Sequence, residues 1–247
     1  MFGLIRKWRR DGLLKDAMPE EWLGYLKQHV PFFEDIPEEK REDFLDAMRI
    51  FIAEKEFVSA NGMEITDEVK VVIAATAVRL TLHLSIDMYN RLSEIVVYPT
   101  DYRHPDDEDG IVYGEAHDWG VVVLSWPAVL RGLKNQQDGL DTATHEFAHV
   151  LDRAGGQFNG TPELRDRGDF SPWAEVMSRH YLDLREQESK GARHLLRHYG
   201  AQNEAEFFAV ATEAFFEQGE KMKRKAPDLY EELRQFYGWD PAADEDE

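Results

Sequence analysis

The sequence predicts an α+β domain, mostly helical, with a small sheet beside one central helix. Three observations carry that expectation. Apolar residues recur along most of the chain at the three-to-four spacing of buried helix faces, and Pro, Asp and Gly stand where helices start and stop. Only three short runs, Glu56–Ser59, Glu94–Tyr98 and Val121–Ser125, read as strands. Between the last of these and the next helix signals lies His145-Glu146-Phe147-Ala148-His149, a pattern whose chemistry requires a helix.

The elements follow in order. Pro19-Glu20-Glu21 opens a helix that Pro31 stops, and Pro37 opens another whose stripe is Phe44, Leu45, Met48, Phe51 and Ile52. The Glu56–Ser59 strand precedes an Asn61-Gly62 turn, and Asp67 to Leu84 reads as a buried helix rich in Val, Ala and Leu. An acidic loop, Asp101–Asp109, separates the next two strands, and Gly114-Glu115-Ala116-His117 reads as its Gly-flanked continuation. Asp138-Gly139 makes a turn, Asp141 caps the helix that carries the two histidines, and Gly155-Gly156 ends it. Pro172, Glu204 and Pro227 open three further helices, the last ending near Trp239. The expected organisation is a helical N-terminal region over 1–90, a catalytic part over 91–240 and an acidic tail over 241–247.

Composition excludes several function classes. The 247-residue chain has no cysteine, so disulfides and thiolate metal sites are ruled out, and any metal must be held by His and carboxylates. A net charge of −20 argues against a nucleic-acid partner, because phosphate neutralisation needs Lys and Arg. The first eight residues are too short and too charged for a signal peptide, and the apolar run over 71–84 is interrupted by Arg79 and His83. A cytoplasmic protein with no membrane partner is expected. Arg6, Lys7, Arg9 and Arg10 read as a solvated helix end.

On a helix, His145 and His149 stand one turn apart on one face, so both imidazoles can reach one ion. Neutral imidazoles hold a dication without cancelling its charge, which keeps water at the ion acidic near neutral pH. Glu146, a quarter turn round, is placed to take the proton. A zinc site of this kind needs a third protein ligand. Asp152 and Gly155 occupy the positions at which a metzincin would carry Gly and His, so a downstream carboxylate is required. Glu163, Glu175, Glu204, Glu206, Glu213 and Glu217 are candidates, with Glu175 a serious rival to Glu206. Glu206 is slightly favoured because it lies on an apolar helix, where a carboxylate requires a partner. Glu213, two turns along the same face, could orient a His ring. Asp152 could hydrogen-bond a ligand His or lie on the surface at the helix end. His194 and His198 read as part of a charged surface helix.

The stretch Thr144-His145-Glu146-Phe147-Ala148-His149-Val150-Leu151-Asp152 resembles the zinc-peptidase family of Mlc titration factor A. So do Ala205-Glu206-Phe207-Phe208-Ala209-Val210, Thr212-Glu213-Ala214-Phe215-Phe216, the spacing from Tyr199 to Glu206, and Gly120–Trp126 upstream. The resemblance implies a zincin-like, gluzincin-type domain similar to the catalytic domain of anthrax lethal factor. It implies one zinc ion on His145, His149 and Glu206, Glu146 as general base, and Tyr199 near the metal as an oxyanion donor. The implied activity is peptide hydrolysis of an aminopeptidase-like kind, which needs an acidic anchor for the substrate amine, Glu115 or Glu213. The competing class is a regulatory binding protein that sequesters an Mlc-like transcription repressor, with hydrolysis secondary.

Overall fold

A computed structural model of the chain describes residues 2–103, 111–112, 114–117, 120–156 and 158–243. The side chains of Glu115 and His117, most of the acidic loop and the tail from 244 lie outside the described residues. The chain begins with α1 (Phe2–Leu13), α2 (Glu20–His29), α3 (Glu38–Glu54), β1 (Glu56–Ser59) and α4 (Asp67–Thr81). Strands β2 (Glu94–Tyr98), β3 (Tyr102–Arg103), β4 (Ile111–Val112), β5 (Gly114–His117) and β6 (Val121–Ser125) follow. The rest is helical: α5 (Trp126–Lys134), α6 (Thr142–Ala154), α7 (Phe170–Ser189), α8 (Glu204–Glu217), α9 (Gly219–Lys225) and α10 (Pro227–Tyr237). The molecule is therefore α+β and mostly helical.

Local chemistry accounts for the boundaries. Pro19 and Pro37 precede α2 and α3, and each helix places two glutamates in its first turn, where they meet the positive end of the helix dipole. Thr66 caps α4 by accepting from the Val69 amide at 3.3 Å. Nearly every residue of α4 from Val71 onward is buried, as befits a helix that is apolar all round. Its one guanidinium, Arg79, lies between the rings of Phe32 and Phe216 at 4.3 and 4.7 Å and donates to the Phe216 carbonyl.

The main sheet has the order β1-β2-β6-β5. The first three strands are parallel, in the register Glu56↔Glu94↔Val121, and β5 runs antiparallel against β6 with Gly114 opposite Leu124. This places β6 in the interior of the sheet, so an extended ligand cannot add to it. Among the described residues the sheet ends on that side with β5, the segment expected to be a loop. Gly-Glu-Ala-His has little intrinsic strand preference, and pairing with the Val-rich β6 supplies what the sequence pattern lacks. The α5 helix is a second element the pattern did not single out. Its signal is local: Ser125 caps it at 3.3 Å and Pro127 sits in its first turn.

Helix α6 crosses the middle of the molecule, packed against α4, α8, β5 and β6. Phe147 is fully buried from it, edge-on to Phe51 of α3 at 5.9 Å and to Tyr89 at 5.7 Å. One helix face thus packs into the core while the other carries the histidines. Among the described residues, no helix is long and apolar enough to cross a membrane.

Candidate metal centre

Asp141 starts α6 as the sequence suggests, accepting from the Thr144 amide at 3.1 Å and its hydroxyl at 2.6 Å. With that start fixed, His145 and His149 point from successive turns toward α8. Helix α8 is itself started by Asn203, which accepts from the Glu206 amide at 2.9 Å, so Glu206 lies in the first turn. The His145 Nε2 stands 3.0 Å from Glu206 Oε2 and 3.1 Å from His149 Nε2, and His149 Nε2 is 3.4 Å from the same oxygen. Ligand atoms on a four-coordinate ion with bonds of about 2.0–2.1 Å stand ~3.3 Å apart. The three groups are spaced to share one ion. Among the described residues they are the one group of His and carboxylates so arranged.

The charges agree with that spacing. Burial opposes a proton on His145, but Glu213 and Glu206 outweigh it and push its pKa up to about 10. Burial would raise the Glu206 carboxyl, yet hydrogen bonds to the two imidazoles hold it at about 2. His149, mainly through burial, is lowered. The protein therefore builds a negative pocket that, without a metal, draws a proton onto His145.

Behind His145 lies Glu213, fully buried. Its Oε1 accepts from His145 Nδ1 at 2.7 Å and from the Arg197 guanidinium, and its Oε2 accepts from the Asp141 amide at 2.8 Å. This arrangement places the ring proton on Nδ1 and leaves Nε2 free for a ligand. Glu213 is consequently not offered to a substrate amine. Arg197 is held in turn by the Gly139 carbonyl at 3.0 Å.

Glu146 is almost fully buried on the sheet side of α6. Gly114 of β5 presses against it: a Cβ there would lie 2.8 Å from Glu146 Cγ, 2.9 Å from its Oε1 and 2.7 Å from Thr142 Cγ2. Only glycine lets the strand come this close, which is the usual meaning of a glycine inside a strand. Nothing in the sequence marks Gly114 as a neighbour of Glu146. Tyr199 sits in a short 3-10 turn, His198–Ala201, with its ring centroid 5.7 Å from that of His145 and nearly half of its surface exposed. Burial, then Glu206 and Glu146, push its phenol up to about 12. Phe158, also passed over in the sequence, packs its ring 5.1 Å from His149.

The remaining candidates fall elsewhere. Glu163, Glu175 and Glu204 are exposed, and none joins the group of three. Glu217 accepts from the Leu140 amide at 3.0 Å. Asp152 is neither on the surface nor bonded to a ligand histidine. It is fully buried and accepts from the Gly160 amide at 2.9 Å. Gly160 itself has φ +72, and a Cβ there would strike the Glu204 carbonyl at 2.3 Å, so the loop is docked tightly between α6 and α8. His194 and His198 do not lie on a surface helix: His194 accepts from the Leu196 amide at 3.0 Å, and His198 donates to the Ala192 carbonyl at 2.9 Å.

Comparison with known proteins matches this arrangement to a family. The uncharacterized protein slr2042 of Synechocystis is 35% identical over 245 residues, covering 95% of this chain and 89% of the relative. Proteins named Mlc titration factor A from Yersinia pestis and Yersinia pseudotuberculosis are each 26% identical, covering 92% of this chain and 87% of theirs. The model of the glucose-regulated metallo-peptidase M90 family matches residues 5–238. With nearly the whole chain matched and a His-His-Glu group suited to a metal at its centre, the protein belongs to the M90 metallo-peptidase family.

Proposed function

We propose that the protein is a zinc-dependent peptidase of the gluzincin type, holding one zinc ion on His145, His149 and Glu206. The observation that carries this reading is the shared oxygen of Glu206 within 3.0 and 3.4 Å of the two Nε2 atoms, with Glu213 fixing the His145 ring from behind. Two imidazoles and one carboxylate leave a net positive ion with an open position, the donor set of a catalytic rather than a structural zinc. When bound, zinc supplies the Lewis acidity that polarises a peptide carbonyl and makes water nucleophilic near neutral pH. Glu146, enclosed beside Gly114, takes the proton of the attacking water and passes it to the leaving amine. Tyr199 keeps its phenolic proton at neutral pH and donates it as a hydrogen bond to the oxyanion. Strand β5 lies against Glu146 through Gly114 and ends the main sheet among the described residues, so its outer edge is suited to pairing with an extended peptide.

The family resemblance favours an aminopeptidase-like mode, checked by comparing peptide amides with free and acetylated amino termini. The central test is turnover of such peptides by the zinc-loaded protein beside Glu146→Gln with matched zinc content. Loss of general-base catalysis should lower turnover by about 10²–10⁴-fold with zinc retained. Near-normal turnover in the variant would sink the role of Glu146.

A second reading rests on the relatives named Mlc titration factor A, which match over 92% of this chain. In that reading the protein also sequesters an Mlc-like transcription repressor in the cytoplasm. A stoichiometric repressor recovered with the Glu146→Gln variant would support it, and absence of any such complex in the native host would count against it.

A further inference from the structure

Helix α1 is fastened to the protein by its charged side. Arg10 pairs with both oxygens of Glu54 at 2.7 and 2.8 Å and with Asp87 at 2.8 Å. Arg6 donates to Asn90 and stands 3.5 Å from Asp87. Arg49 of α3 secures the far end by donating to the Leu13 carbonyl at 3.0 Å and to that of Asp16. The side turned outward is apolar: Leu4 and Trp8 are each 76% exposed and Ile5 53%. At 100° per residue these three fall on one face, with Arg9 at one margin and Lys7, paired with Asp11 at 3.0 Å, at the other. Ordinary surface helices bury the apolar stripe and expose the charges. Here the ionic contacts hold the opposite orientation.

We infer that α1 is a docking helix for an anionic lipid surface, lying in the headgroup layer with Leu4, Ile5 and Trp8 inserted. The charge distribution argues for this occupant. Arg6 and Arg10 are answered by Glu54 and Asp87 and Lys7 by Asp11, which leaves Arg9 and Lys15 as the cations of this end with no acidic partner among the described residues, on a chain whose net charge is −20. An anionic surface repels the acidic body and favours approach by the side that presents Arg9 and Lys15 next to the apolar face. A tryptophan and two aliphatic side chains bordered by Lys and Arg are the make-up of helices that lie in the membrane interface. A second copy of the chain suits the face less well. Stable dimers bury about 800 Å² on each partner, more than one face of a 12-residue helix provides, and the acidic bodies repel. The expectation of no membrane partner rested on the lack of a spanning segment. Lying on a membrane is a different physical condition.

The test is flotation of the full-length, zinc-loaded protein with phosphatidylcholine vesicles prepared with and without phosphatidylglycerol. Wild type should float with the anionic vesicles, less so as salt is raised, and only weakly with the neutral ones. The double variant Leu4→Ser/Trp8→Ser should partition at least about tenfold less, and Arg9→Glu should weaken binding to the anionic vesicles alone. Unchanged circular dichroism and zinc content would show that these exposed changes leave the fold intact, whether or not the peptidase reading holds. No flotation of wild type with anionic vesicles, or equal flotation of wild type and the double variant, overturns the proposal. Concentration-dependent dimers that the double variant abolishes, without lipid binding, would reassign the face to a second copy. Recovery of an acidic protein through α1 with no vesicle binding would equally overturn the lipid assignment.

Discussion

At the scale of the residue, the centre works through oxygens that hold more than one group. Glu213 Oε1 serves both His145 and Arg197, and its partner oxygen takes the Asp141 amide, so one buried carboxylate ties the cap of α6 to the imidazole one turn along. The isosteric change Glu213→Gln keeps the shape and removes the charge that makes His145 a strong donor. Zinc affinity, measured by competition with a chromophoric chelator, should fall about 10–100-fold. An unchanged affinity would mean that Glu213 does not act through His145. The histidine pair was legible in the sequence because helix geometry alone places positions four apart on one face. The carboxylate beside them was legible only by a slight preference for Glu206 on its apolar helix, because a firm choice over Glu175 or Glu213 requires knowing which helix packs on α6. Tyr199 came from resemblance only: one phenol in a charged, irregular stretch has no periodicity to mark it. Gly114 carried a usable sign, a glycine beside a candidate strand, but its meaning depends on the Glu146 side chain that it touches.

At the scale of the element, the sequence reveals what repeats and hides what is borrowed. Helices α3, α4 and α8 show themselves through apolar stripes and caps, and β2 and β6 through runs of Val and Ile. β5 borrows its conformation from β6, and its residues carry no strand signal of their own. α5 was hidden by adjacency, since Trp126 and Pro127 follow the Val-rich strand without a break and read as its end. Capping links an element to the site. Asn203 starts α8 and so sets the turn from which Glu206 projects. Asn203→Ala should cost about 1 kcal/mol of stability, a fall of about 2–4 °C in melting temperature for a domain of this size. Zinc binding should weaken in the same variant if the proposed ligand Glu206 is held by this turn. A full thermal loss with unaltered zinc affinity would show that Glu206 is held by packing rather than by the cap.

At the scale of the whole molecule, the negative pocket makes stability depend on pH and metal together. His145 has its folded pKa raised from 6.5 to about 10, so its contribution to the metal-free fold is complete below 6.5 and is lost as pH rises through 10. Glu206 has its pKa lowered from 4.5 to about 2, so its contribution is complete above 4.5 and is lost as pH falls toward 2. For these two groups, metal-free stability is greatest between 4.5 and 6.5 and declines on the alkaline side. On the proposed assignment zinc displaces the proton on His145, so binding at neutral pH should release about one proton. Calorimetry in buffers of different ionisation enthalpy measures that number directly, and a value near zero would show that His145 is already neutral in the metal-free protein. The charge of the whole chain was plain in the sequence. That two of its N-terminal arginines hold α1 down, rather than facing solvent, was not, because Glu54 and Asp87 lie far away along the chain.

One bond at the end of α6 holds the edge of the sheet against it. Arg153, a turn past His149, donates to the Ala116 carbonyl of β5 at 2.7 Å while its guanidinium carbon lies 4.2 Å from the centroid of the Phe158 ring. The helix that carries the histidines and the strand at the sheet edge are thereby riveted together at the far end, as Gly114 lets them touch at the near end. Held at both ends, the strand cannot slide along the helix or lift away from it alone. The distance from the sheet edge to the His-His-Glu group is therefore set by the frame, and any movement of β5 must carry α6 with it.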